Sequence, residues 1–440
     1  MDKKALSLPI LIAMVVGNMI GAGIFVLPAS LASFGTISIF SWILTSCGAL
    51  LLALTFAHLN RRYSKTGGPY VYTKQAFGNL SGFIVAFIYW FSQSGSVAGI
   101  AVASIGYLGY VFPSLNANAP YFNPNNSLIA ELAMVWGFTL INIVGIHFAG
   151  VVQLLLTIIK MTPLFAVILF GATSMHWINL THFTTSATQS PFMALTSAAA
   201  ITFWAFVGLE AATVPAENTR GPHDITIATI VGTLISAIVY IASTVVLMGM
   251  IPVHQLMASQ FPFAEAGAML FGPFGALFIA IFACVSGMTA LNVSIFLQGQ
   301  IMFSAARDRI FPAWFSKLSK HDVPTRAILL SSIISTLLLT LTVRPTLLQQ
   351  FDFIILATAL LSLIVYLVSA CAEIKFSIQQ DGKLKRTLTQ SSTLIALIAA
   401  CYSILMIVSM NIITIKIGVA VILACVPIYY FFVQRYMRTE

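Results

Sequence analysis

Long apolar runs alternate with short polar segments from one end of the chain to the other. A helix needs about 20 apolar residues to cross the ~30 Å hydrocarbon core of a bilayer, so each run predicts one membrane-spanning helix. Read against their Gly, Pro and charged punctuation, the runs predict twelve spans near residues 9–33, 36–59, 81–112, 128–148, 150–172, 191–213, 225–251, 273–300, 326–343, 352–377, 391–410 and 413–434. The segments between them leave no room for a water-soluble domain. The expected fold class is an all-α integral membrane protein.

Composition sharpens this picture. Hydrophobic residues make up 59% of the chain and charged residues only 8%, where a soluble domain carries about 25% charged residues. The net charge of +9 does not point to nucleic acid, because the basic residues sit in short loops rather than on one folded face. Lys and Arg in short loops favour the cytoplasmic side. With the N-terminus inside, cytoplasmic segments hold 18 of the 21 basic residues, among them Lys3, Lys4, Arg61, Arg62, Arg307, Arg309, Lys383 and Arg438. Only Lys160, Arg344 and Lys416 fall elsewhere, and the outside segments 113–127, 173–190 and 252–272 hold none. An odd span count would scramble this separation, so both termini are expected inside, in the cell (inner) membrane. Met1 to Lys4 and the run after them lack a small-residue cleavage site and are expected to remain as the first span. Cys47, Cys284, Cys371, Cys401 and Cys425 lie in apolar runs without paired spacing or His partners, so no disulfide, metal or cofactor is expected.

Two spans are interrupted. Span 1 reads Gly17-Asn18-Met19-Ile20-Gly21-Ala22-Gly23 and continues to Pro28, and each glycine costs a helix about 1 kcal/mol relative to Ala. Taken alone, this run also suits close helix packing through small residues. Span 6 reads Trp204-Ala205-Phe206-Val207-Gly208-Leu209-Glu210 and continues to Pro215. A glycine break followed by a proline thus occurs twice, in spans that run in opposite directions, as expected of a transporter with its site at the bilayer midplane. Unwound backbone in lipid is tolerated only where it lines a cavity. Freed N–H groups at Gly21 to Gly23, helped by a half-helix dipole, suit a carboxylate, and freed carbonyls near Met19, Trp204 and Val207 suit an ammonium.

The motifs GNMIGAGIFVLP, GTISIFSWILTSCGAL, GGPYVYTKQAFG, TFWAFVGLEAATV and ARDRIFP follow one another in order. On these the sequence resembles the amino acid/polyamine/organocation superfamily, especially the bacterial arginine/agmatine and putrescine antiporters. The resemblance implies two inverted five-helix repeats, over residues 1–172 and 191–377, followed by peripheral helices in 391–440. It places Ala22 and Gly23 at a substrate carboxylate, the carbonyls of Met19, Trp204 and Val207 at the amino group, and Trp204 as an aromatic gate; a plain core or lipid-facing Trp is the alternative. Two departures bear on substrate. Val97 stands where the arginine antiporter has an Asn in span 3, and Ser294 where it has a stacking Trp in span 8, both losses of contacts suited to a guanidinium. After span 6, Asn218 is kept while the following proline pattern is degraded over Thr219 to Thr226.

Lys160 lies ten residues into span 5, ~15 Å along a helix, where a charge needs a partner or a polar cavity. Snorkelling to the interface is the plainer alternative. The resemblance offers it the place of the sodium ion of sodium-coupled relatives, its ammonium tying span 5 to spans 1 and 8, while burial of a lysine offers a second role as proton carrier. Glu210 corresponds to an acid tied to coupling and gating in the antiporters, or else it caps a second half-helix. Glu131, Asp352 and Glu373 are expected near interfaces, and Tyr70, Tyr89 and Tyr366 resemble family tyrosines. No HExxH, GxSxG or intramembrane carboxylate cluster suggests an enzyme, and no filter suggests a channel. The expected function is a sodium-independent amino acid transporter, working as exchanger or proton-coupled symporter. A cationic amino acid or polyamine antiporter is the alternative, with a channel or membrane enzyme more remote. Its partners are substrate and lipid, with a homodimer left open.

Overall fold

The computed structural model describes residues 6–115, 123–144, 146–181, 190–320, 322–341, 347–381 and 391–437. Lys3, Lys4, Arg344, Lys383 and Arg438, named above, and the further basic residues Lys385 and Arg386 lie outside the described residues. The helices are α1 (Leu8–Met19), α2 (Gly23–Ala32), α3 (Ile37–Arg62), α4 (Pro69–Phe77), α5 (Asn79–Leu108), α6 (Pro124–Val144), α7 (Ile146–Gly171), α8 (Pro191–Phe203), α9 (Pro222–Met250), α10 (Val253–Ala258), α11 (Pro262–Arg307), α12 (Thr325–Leu341) and α13 (Leu347–Asp381). Two further helices, Ser391–Val408 and Ile412–Met437, close the series.

Among the described residues, eleven helical segments are long and apolar enough to cross a membrane, and α12 is a shorter apolar twelfth. The predicted all-α, multi-pass architecture holds. Span boundaries shift by a few residues where a proline sits at a helix start, as at Pro124 and Pro222, because the first turn has no N–H to lose. The short helices α4 and α10 were not expected. In α11 the backbone kinks at Gly272, with φ 66°, just before the predicted start of span 8 at Pro273. The preceding turns form a separate short helix.

Buried hydroxyls let the central helices approach closely. Along α9, Thr229, Thr233 and Ser236 each donate to the carbonyl four residues earlier, which satisfies them without a neighbour. A β-carbon at Gly232 would stand 2.6 Å from Val15 Cγ1, so α9 packs against α1 through a side-chain-free point, as small residues allow in membrane helices. At the periphery, Leu140, Val144, Leu155, Ile158 and Leu169 of α6 and α7 are exposed, an apolar surface that suits lipid.

Candidate functional site

Span 1 breaks between Met19, the last residue of α1, and Gly23, the first of α2. Ile20 leaves helical geometry at φ −83°, ψ 83°, and Gly21 closes a tight turn by donating to the Met19 carbonyl at 3.0 Å. The first N–H groups of α2 have no earlier turn to bond and open onto the break. Span 6 leaves α-helix at Phe203, passes through a 3₁₀ turn (Trp204–Phe206), extends at Val207, and turns at Gly208 with φ +101°. Only short 3₁₀ turns follow, Ala211–Thr213 and Ala216–Asn218. The second half-helix that Glu210 was expected to cap does not form as an α-helix; Pro215 has no N–H to continue one.

The two breaks meet. A β-carbon on Gly208 would stand 2.0 Å from Asn18 Nδ2, and one on Gly23 would stand 2.0 Å from Trp204 Cζ3. Each break therefore presents a glycine to a side chain of the other.

Between them lies a cleft lined on the span 1 side by Asn18, Met19 and Gly21, and on the span 6 side by Trp204 and Val207. Span 3 contributes Gln93, Ser96 and Ile100, and span 8 contributes Ser294. Of the residues expected there, Met19, Gly21, Trp204, Val207 and Ser294 are brought together. Val97 is fully buried but does not line the cleft, because the wall of α5 is presented by its neighbours. Ala22 and Gly23 lie one step beyond, Gly23 beneath the Trp204 ring. The Met19 and Trp204 carbonyls accept from Gly21 and Val207, each at 3.0 Å, which leaves one lone pair on each. Asn18, Gln93 and Ser96 were missed from the sequence. Ser294 donates to Asn18 Oδ1 at 3.0 Å, joining spans 8 and 1 across the cleft.

Lys160 is fully buried in α7. Its Nζ donates to the Gly17 carbonyl at 2.9 Å and to the Ile20 carbonyl. Ser286 of α11 donates to the same Ile20 carbonyl at 3.3 Å. The ammonium thus ties span 5 to the end of α1, and through one shared oxygen to span 8. Thr157, one turn earlier on the same face, reaches the Ala13 carbonyl at 3.3 Å.

Glu210 is also fully buried. Tyr89 of α5 and Tyr366 of α13 donate to its two oxygens, while Tyr366 Oη accepts from the Gly208 N–H at 3.1 Å. The chain of donors fixes the positive-φ turn to the carboxylate, and joins spans 3, 6 and 10.

On the face rich in Arg and Lys, the remaining motifs fold together. Tyr70 and Lys74 of α4 donate to Asp308 Oδ2 at 2.7 and 2.9 Å. Arg307 forks onto Glu217 at 2.6 and 2.8 Å, and that bonding holds the Glu217 carboxyl below the usual range. Nearby, Arg62 pairs with buried Glu373 at 3.3 Å. Ser30 donates to Asp352 at 2.7 Å, and Glu131 is buried in α6; all three acids expected at interfaces are packed against protein. Among the described residues no three His, Cys, Asp or Glu gather as a metal site.

Residues 6–433 match the family model described as amino acid permease. The chain is 30% identical to a Bacillus subtilis (strain 168) protein provisionally assigned as an arginine/ornithine antiporter, over 98% of this chain and 97% of that one. It is 33% identical to the cadaverine/lysine antiporter of Escherichia coli (strain K12), over 74% and 72% of the two chains. To the putrescine transporter PotE of the same strain it is 30% identical, over 88% and 86%. With a match across nearly its whole length, and with its broken helices paired around one cleft, the chain belongs to the amino acid permease family.

Proposed function

We propose that this protein is a secondary transporter that carries amino acids across the cytoplasmic membrane by alternating access, without sodium, as an exchanger or a proton-coupled symporter. It is not an enzyme. Both termini face the cytoplasm, residues 1–172 and 191–377 form the inverted repeats, and 391–440 supply the peripheral helices. The observation that carries the reading is the meeting of the two unwound segments at a cleft, with the Lys160 ammonium on carbonyls of the span 1 break. A fixed cation there leaves no need for a sodium ion.

The substrate is a neutral or weakly polar amino acid. Its carboxylate sits on the N–H groups at Ala22 and Gly23, the Gly21 N–H being taken by the Met19 carbonyl, and its ammonium sits on the carbonyls of Met19, Trp204 and Val207, beneath the ring of Trp204. No charged side chain lines the cleft to pair with a second cationic group. The second reading, exchange of cationic amino acids or polyamines, is favoured by the substrates in the names of the three relatives.

The test is uptake of a labelled amino acid panel into proteoliposomes, with choline replacing sodium, with and without internal substrate or a proton gradient. Saturable uptake of a neutral amino acid in choline supports the proposal. A dominant preference for arginine, ornithine or putrescine would favour the second reading, and an absolute need for sodium would overturn the first.

A further inference from the structure

Four polar atoms of the cleft lining are buried and have no partner; one is Trp204 Nε1, and the other three lie on α5. Gln93 of α5 is 1% exposed and Ser96 is 5% exposed, and the two amide atoms of Gln93 and the hydroxyl of Ser96 make no hydrogen bond. Both line the cleft and stand three residues apart, hence on one face of the helix. The neutral amide offers two donors and an acceptor, and the hydroxyl offers either. A buried polar group left unpaired is costly, and a transporter tolerates it where the ligand completes the bonding.

Resting on the reading of this cleft as an amino acid site, we infer that Gln93 and Ser96 select a substrate whose side chain both donates and accepts hydrogen bonds while carrying no charge: a hydroxyl or a carboxamide. An apolar side chain would leave all three groups unpaired. An ammonium side chain could satisfy Gln93 Oε1 and the hydroxyl, but it has no acceptor for the Gln93 N–H groups. It would also meet no carboxylate, since no acidic side chain lines the cleft.

The experiment uses isosteric pairs in counterflow into proteoliposomes: labelled threonine against valine, and asparagine against leucine, with lysine as the charged control. The parent protein is expected to take up threonine and asparagine roughly 10-fold or more faster than their apolar counterparts at limiting concentration. Gln93→Met and Ser96→Ala should each shrink that ratio, and Gln93→Glu should admit lysine. Valine and leucine equal to or faster than threonine and asparagine in the parent would overturn the inference and leave amino acid transport standing. Lysine faster than all four would do the same. Failure of the parent to take up any amino acid would overturn the underlying reading and this inference with it. The parent's own preference decides the matter even where a variant fails to fold.

Discussion

The ring of Trp204 lies against Gly23, with Cζ3 2.0 Å from where a β-carbon on that glycine would stand, and Phe351 Cζ 3.3 Å from the same point. Residue 23 can carry no side chain while Trp204 keeps this position. Gly23→Ala should therefore slow transport, and the β-branched Gly23→Val should abolish it. Span 1 remains apolar enough to insert, so membrane yield and size-exclusion profile should stay near those of the parent. Normal uptake by Gly23→Val would remove the span 1 break from the site.

Tyr366, Glu210 and Gly208 form one chain of hydrogen bonds. Tyr366→Phe strips one carboxylate oxygen and the Gly208 N–H of their partner, each worth about 1–3 kcal/mol when buried. Glu210→Gln leaves one tyrosine hydroxyl without an acceptor. Each variant should slow uptake by roughly 10-fold or more, and the double variant should be much less than multiplicative because the groups act together. Additive losses in that double-mutant cycle would separate Glu210 from the tyrosines.

Glu217 and Arg307 close the face rich in basic residues, with side chains 37% and 44% exposed. The Glu217 carboxyl is held below its ordinary value of 4.5 by the Arg307 fork. The folded-state value is depressed, so the pair's contribution is complete above 4.5 and is lost only as pH falls through the lower, folded value. Between pH 5 and 8 this pair stays charged, and a pH dependence of transport in that window must come from other groups. Glu217→Gln should keep the shape of the pH profile over this window and lower thermal stability slightly, by ~0.2–1 kcal/mol at low salt and less at high salt. A pH profile flattened by Glu217→Gln would place the titrating group here instead.

Much of the fold was legible from the chain alone. Twelve spans follow from apolar length, and the two breaks stand out because glycine and proline interrupt runs that otherwise favour helix. The burial of Lys160 was expected because a charge ten residues into an apolar run needs a partner or a polar cavity, with snorkelling to the interface as the alternative. The resemblance ties it to spans 1 and 8, but which carbonyls it meets, those of Gly17 and Ile20, was not legible, since they are freed only by the geometry of the break. In span 3 the resemblance singles out Val97, whereas its neighbours Gln93, Ser96 and Ile100 of α5 line the cleft. Polar residues in an apolar span were the available signal. The lack of an α-helix after Gly208 was likewise hidden, because glycine and proline mark where a helix ends without showing whether it resumes.

Lys160 is the group on which the central claim turns, and Lys160→Ala in sodium-free proteoliposomes tests it most directly. Uptake should be measured twice, once driven by internal substrate and once by a proton gradient. If the ammonium serves in place of a bound cation, its loss leaves the Gly17 carbonyl without its donor and the Ile20 carbonyl with Ser286 alone, and both modes should fall by at least ~10-fold in turnover. If Lys160 also carries the proton, gradient-driven accumulation should vanish while some exchange survives. Wild-type uptake by Lys160→Ala in both modes, or a parent protein that is silent until sodium is added, would contradict the account.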